Sequence, residues 1–202
     1  MPPFIPLTAF ICGRSGSAVC NIAWLNRETL MDLNLLLQQL GDDRPGRLPP
    51  VEKWQPELSG DMDMEIRKDG SWWHEGAPIK REKLVRLFAS ILRKEGEEYF
   101  LLTPVEKWRI RVEDRPLLIT MLERRGDIIS MVTATGDLLE LGPQHPLVMS
   151  VLDGTLLAEV HVRQELWARL SRNAWYDLLE LAEETADGKV VVRSAGASFV
   201  LS

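Results

Sequence analysis

With 202 residues, 45% of them hydrophobic and 27% charged, the chain is long enough for one large domain or two small ones with real cores. A formal charge of −6 and a pI near 5.2 deny it the positive footprint that phosphate-backbone binding requires, so nucleic acid is not an expected partner. Two cysteines, Cys12 and Cys20, are too few to frame a disulfide scaffold, and no apolar run approaches the roughly 18 residues needed to span a bilayer, so a cytoplasmic protein without membrane contact is expected.

The first twenty residues, MPPFIPLTAFICGRSGSAVC, imitate a signal peptide loosely. They have no basic residue before Arg14, and Pro2, Pro3 and Pro6 interrupt the apolar stretch. Residues 1–30 therefore read as a disordered extension outside the domain, with Met31 as an alternative start. Leucines at helical spacing predict a short helix over 32–40, with Asp32 as its cap. The stretch GDDRPGRLPPVEKWQP, dense in proline, glycine and charge, then predicts an extended connector.

Strict apolar/polar alternation from Met62 to Arg67 predicts a strand, Asp69-Gly70 a hairpin turn, and Ser71 to Glu75 the return strand. Pro78 precedes a predicted helix over 80–94, with Leu84, Leu87, Phe88, Ile91 and Leu92 on one stripe. Tyr99 to Leu102 reads as a strand buried on both faces. Lys107 to Val112 is the cleanest alternation in the chain, with Lys107, Arg109 and Arg111 on one face. Leu117 to Leu122 and Ile128 to Thr133 predict a hairpin around Arg124-Arg125-Gly126-Asp127, an RGD string read here as a turn. Further strands are expected at Leu138 to Leu141 and Thr155 to Val162. Helical pieces are expected around Leu166 to Leu170 and across Trp175, Leu178, Leu179 and Ala182, with a closing strand from Val190.

An internal duplication is visible at an offset of 91 residues, which sets Leu84 against Trp175, Leu87 against Leu178 and Tyr99 against Val190. Asp69-Gly70 is echoed by Asp153-Gly154. The expected layout is a 1–30 extension, an N-terminal repeat over 31–104 and a β-rich C-terminal repeat over 105–202, in an α+β fold.

The run from Asp69 to Pro116, DGSWWHEGAPIKREKLVRLFASILRKEGEEYFLLTPVEKWRIRVEDRP, resembles the signature of the bacterial domain-of-unknown-function 1285 family. The matching positions are Gly70, Trp72, Trp73, Gly76, Pro78, Ile79, Arg81, Thr103 to Lys107, Val112 to Asp114 and Pro116, with Leu117 where the family tends to have Phe. The resemblance implies a duplicated α+β core whose C-terminal half is similar to pleckstrin-homology-like domains. It also implies a binding or regulatory role, such as signal transduction, and no established activity.

No Walker loop, dinucleotide fingerprint or nucleophile elbow occurs, and His74-Glu75 lacks the second histidine of a zinc helix because position 78 is proline. Neither metal nor cofactor is expected. The polar and aromatic candidates for ligand binding are Trp73, His74, Arg81, Thr103, Glu106, Lys107 and Asp114. Together they predict a groove between the halves that takes a small anionic ligand or a protein partner, with Arg81 at a helix start and Lys107 supplying the cations. The alternative is a hydrolase or transferase using His74 with Glu106 or Asp114.

Overall fold

The structure is a computed structural model that describes residues 48–202. The expected 1–30 extension, the helix over 32–40 and both cysteines lie outside the described residues. After a single 3-10 turn at Val51–Lys53, the chain forms β1 (Leu58–Ile66), β2 (Trp72–His74) and β3 (Ala77–Pro78). Next come α1 (Glu82–Ser90), β4 (Leu92–Glu95), β5 (Glu98–Leu102) and β6 (Lys107–Val112). The second half runs β7 (Leu117–Arg125), β8 (Ile128–Thr133), β9 (Leu138–Glu140), β10 (Leu147–Leu152), β11 (Thr155–Arg163) and β12 (Leu166–Leu170). It closes with α2 (Arg172–Glu180), β13 (Glu183–Glu184), β14 (Val190–Ser194) and β15 (Ala197–Val200).

Two six-stranded sheets share one plan. The first has the order β3-β2-β1-β6-β5-β4 and the second β10-β11-β12-β7-β8-β9. In each, the first strand of the unit pairs parallel with the last, and the other neighbours are antiparallel. Strand β7 starts 59 residues after β1 (117 against 58), and β12 the same distance after β6 (166 against 107). The duplication is thus real, but its period differs from the 91-residue offset. That offset matched α1, which lies inside the first unit, to α2, which follows the second sheet. The sheets divide after Val112 rather than at 104/105, because β6 pairs with β1 and β5.

Alternation along β1 buries Met62, Met64 and Ile66 on one face. Helix α1 covers that face with Leu87 and Phe88, the latter stacked on Trp72 at 6.2 Å between ring centroids. The helix is shorter than predicted. Ser90 Oγ donates to the Leu87 carbonyl, Ile91 leaves helical geometry, and Leu92 pairs with Leu101 in the sheet. Ile91 and Leu92 are buried as expected, but a strand start satisfies the same apolar stripe. Leu166 to Leu170 is strand β12, not a helix, because parallel pairing with β7 overrides its local helical composition. Strand β10 stands where the echoed Asp-Gly turn calls for a strand before Asp153, whereas β15 lies outside the expected elements.

Phe88 is 3% exposed and fills the space between α1 and Trp72. Phe88→Ala is expected to cost about 3–5 kcal/mol in urea unfolding, since the cavity cannot collapse beneath a sheet. A cost below about 1 kcal/mol would mean that the helix face is wrongly assigned.

Candidate functional site

Lys107, Arg109 and Arg111 do share one face of the first sheet, and each is met by an acid from β1, β4 or β5. Arg109 bridges Asp61 at 3.2 Å and Glu98 at 3.1 Å, and Arg111 bridges Asp63 at 2.7 Å. Lys107 pairs with Glu95, which also takes Arg93, and its ammonium lies 4.2 Å from the Phe100 ring centroid. Burial would raise the Glu95 carboxyl, but hydrogen bonds from Lys107 and Arg93 hold it below its ordinary value. The basic stripe is therefore a neutralised lattice. A shallow groove of about 440 Å³ runs over Glu65, Tyr99, Arg109 and Glu113 on this unit.

Of the predicted site residues, Thr103, Glu106 and Lys107 share the β5–β6 turn, while Trp73, His74, Arg81 and Asp114 stand on other elements. Trp73 lies under Arg67, whose guanidinium is 3.6 Å from its ring centroid, and donates from Nε1 to Ser71 Oγ. His74 sits opposite Met64 with Nδ1 2.9 Å from the Asp63 carbonyl oxygen. Arg81 is the exposed N-cap of α1 and makes no capping bond through its side chain. Thr103 is buried, and its hydroxyl accepts from the Glu106 amide at 3.0 Å, which makes it the anchor of the β5–β6 turn. Glu106 accepts from Trp108 Nε1 at 3.4 Å. Glu106 and Asp114 stand off opposite ends of β6. Among the described residues no group of histidine, cysteine and carboxylates could hold a metal ion.

Asp114 occupies the junction of the units. Its two oxygens accept from Arg169 Nε and Nη2, each at 2.7 Å, and the two side chains are only 4% and 7% exposed. Arg169 Nη1 donates to Ser150 Oγ at 2.8 Å and lies 3.7 Å from Glu159, which also pairs with Arg115. The Glu159 hydrogen bond holds the Arg115 guanidinium above its ordinary value, and burial pushes the Tyr99 phenol up beside it. A second tether joins Arg163 to Asp137 and, at 2.7 Å, to the Ala89 carbonyl at the end of α1. These ion pairs tie the linker to the second sheet, and Arg163 links the second unit to the end of α1. Sequence reasoning missed Arg163, Arg169 and Glu159. An arginine amid the apolar residues of β12 was the available signal.

Family models match both units: the N-terminal domain of the domain of unknown function DUF1285 over residues 49–115, and its C-terminal domain over 116–201. The chain belongs to the DUF1285 family. A family member from Silicibacter pomeroyi DSS-3 has a crystal structure that superposes with a TM-score of 0.72 at 37% identity, covering 82% of this chain and 93% of that one. Another, from Shewanella baltica OS155, is 33% identical over 59% of this chain and 91% of that one, with a TM-score of 0.49. Comparison with curated proteins gave no match. The boundary between the two family models falls in the linker from β6 to β7, where Asp114 stands.

Arg169→Met is expected to destabilise the protein by about 3–5 kcal/mol in denaturant unfolding, because Asp114 would stay buried without its partner. Asp114→Leu combined with Arg169→Met should recover most of that loss. A double variant no more stable than the single one would show that Ser150 and Glu159, rather than Asp114, depend on the guanidinium.

Proposed function

We propose that this protein is a non-enzymatic binding module that takes an apolar segment of a protein partner in a groove between the β10–β11 hairpin and α2. The observation that carries the reading is a run of exposed apolar side chains at one corner of the second unit. Val151 is 69% exposed, Leu156 50% and Tyr176 58%, with Leu179 beside them on α2. Trp175 is half-buried between them, and Ala158 and Leu170 form the floor. Leu156 lies on the same strand face as Ala158 and Val160, so the apolar face of the sheet emerges here from under α2. Contiguous exposed apolar surface of this kind marks protein contact sites.

The groove holds about 210 Å³. Small-molecule sites usually run from about 300 to 1,000 Å³, so this one suits an anchoring side chain rather than a cofactor. Arg172 on the rim can take an acidic group of the same segment. The second unit, a six-stranded sheet followed directly by α2, supports the pleckstrin-homology-like reading of that half. A regulatory role in the cytoplasm fits this reading. The hydrolase or transferase alternative has no supporting geometry, because His74, Glu106 and Asp114 each face a different neighbour.

A photo-crosslinking amino acid in place of Tyr176 is expected to trap a discrete protein partner in cells. Leu156→Asp should lower the yield at least about tenfold, as loss of an interface anchor does, with no change in melting temperature. An undiminished yield would sink the reading, as would an equal yield from a crosslinker at exposed Arg124 on the β7–β8 hairpin.

A further inference from the structure

Strand edges invite pairing unless they are short, charged or broken by proline. Strand β3 is two residues long and ends at Pro78, and β13 is two glutamates. Strand β9 has three residues including Glu140, and β4 carries Arg93, Lys94 and Glu95. Strand β15 has four residues and approaches β10 without hydrogen-bonding to it. Strand β10 has none of these protections. It is six residues long, LVMSVL, without charge or proline, and it ends the order of its sheet.

The phase of its backbone follows from the hairpin. Asp153 and Gly154 both have positive φ, +50° and +75°, as a two-residue turn of the primed type requires. Such a turn is closed by a hydrogen-bonded pair, here Leu152 with Thr155. At the far end the His161 amide donates to the Pro146 carbonyl, which fixes the same phase. Pro146, Val148, Ser150 and Leu152 therefore turn their backbone groups toward β11. Leu147, Met149 and Val151 turn one N–H and one C=O each toward the open edge, and none of these finds a backbone partner among the described residues.

We propose that this edge pairs with β10 of a second copy of the chain, antiparallel about a two-fold axis at Met149. In that register Met149 faces Met149 of the second copy, and Leu147 faces its Val151. Every outward N–H and C=O of the three residues is then satisfied on both copies. Between them Val148 falls opposite Ser150, and just beyond the strand His145 falls opposite Asp153, which also pairs with Lys68, so no two carboxylates meet across the axis. A shift of one step, about Ser150, sets Leu147 against Asp153 in the turn and forfeits its bonds. A chain of net charge −6 repels its copy over most of its surface, and this neutral strand with an acid at one end and a histidine at the other is where two copies can approach. The pairing shares Val151 with the apolar corner, whereas Leu156 and Tyr176, which carry the groove's own test, take no part in it. A dimer built this way carries two grooves.

Sedimentation of the full chain over about a hundredfold concentration range tests it. The average mass is expected to rise from one 23.0 kDa chain toward two, and Val151→Lys should hold it at one with the melting temperature unchanged. Hydrogen exchange on the unmodified chain gives a variant-free reading. The amides of Leu147, Met149 and Val151 should become protected as concentration rises, while those of Val148 and Ser150 stay as they were. A monomer throughout overturns the proposal. So does a dimer that leaves those three amides unprotected. Either result leaves the partner groove to stand or fall on its own crosslinking test.

Discussion

The bidentate pair between Asp114 and Arg169 fixes the linker between the units onto the second sheet. Ions this deeply buried lose several kcal/mol each in hydration, and only a well-formed partner set offsets that. Here the set is nearly complete. Asp114 takes two guanidinium donors, Ser150 a third, and Glu159 balances the remaining charge together with Arg115. The residues come from the linker and from β10, β11 and β12, so three strands of the second sheet are indexed to one carboxylate. By comparison the bridge from Lys68 to Asp153 is exposed and adds little. Steric fit supports the same arrangement. Gly70 has φ +79°, and a Cβ there would meet Leu118 at 3.0 Å, so the first hairpin turn can lie against β7 only as glycine.

The repeated plan of the sheets explains why the two halves have different surfaces. In the first unit α1 lies between the two meanders and covers the apolar face with Leu87 and Phe88. The second unit has the loop over 141–146 at the equivalent place, and its helix comes after the sheet is complete. Both helices have nine residues and span about 14 Å, so their place in the chain order, not their length, separates the two units. Sheet β13-β14-β15 shares the task through Val192, Phe199 and Leu201. The corner at Leu156 and Val151 is what those covers leave open, so the groove follows from where the second helix falls in the chain order.

Strands β1, β5 and β6 and both Asp-Gly turns were readable in the sequence, because each combines clean alternation or a short apolar run with turn chemistry beside it. The centre of α1 was readable for the same reason. Its end was not: Ile91 and Leu92 continue the helical stripe and equally well begin a strand, and only pairing with Leu101 decides between them. Strand β12 misled more seriously. Both of its faces are buried, one by the core and one by the ion pairs of Arg169, so LWARL loses the alternation that a half-exposed strand shows. What the candidate side chains pair with is not legible from residue type along the chain. Thr103 is polar for the sake of a turn, Glu106 and Lys107 for local pairs, and Asp114 for a partner 55 residues away. Nothing in one sequence distinguishes a carboxylate kept for a buried arginine from one kept for a ligand.

That distribution of partners bears on what the surface can recognise. Acid–base chemistry needs a proton carrier that can change its charge as the reaction proceeds, and a charge already fixed by an opposite one resists that change. On one face of the first sheet Lys107, Arg109 and Arg111 are each matched by carboxylates on β1, β4 or β5, and at the junction Asp114 and Glu159 are matched by Arg169 and Arg115. An incoming anion would have to displace those acids before it met a cation, and its gain would be the difference between two similar pairs. Apolar surface has no such competitor. Covering Leu156 and Tyr176 releases about 25 cal/mol for each Å² removed from water, with no existing contact to break. Among the described residues, the corner of the second unit is therefore where the proposed partner segment could cover apolar surface without displacing an ion pair.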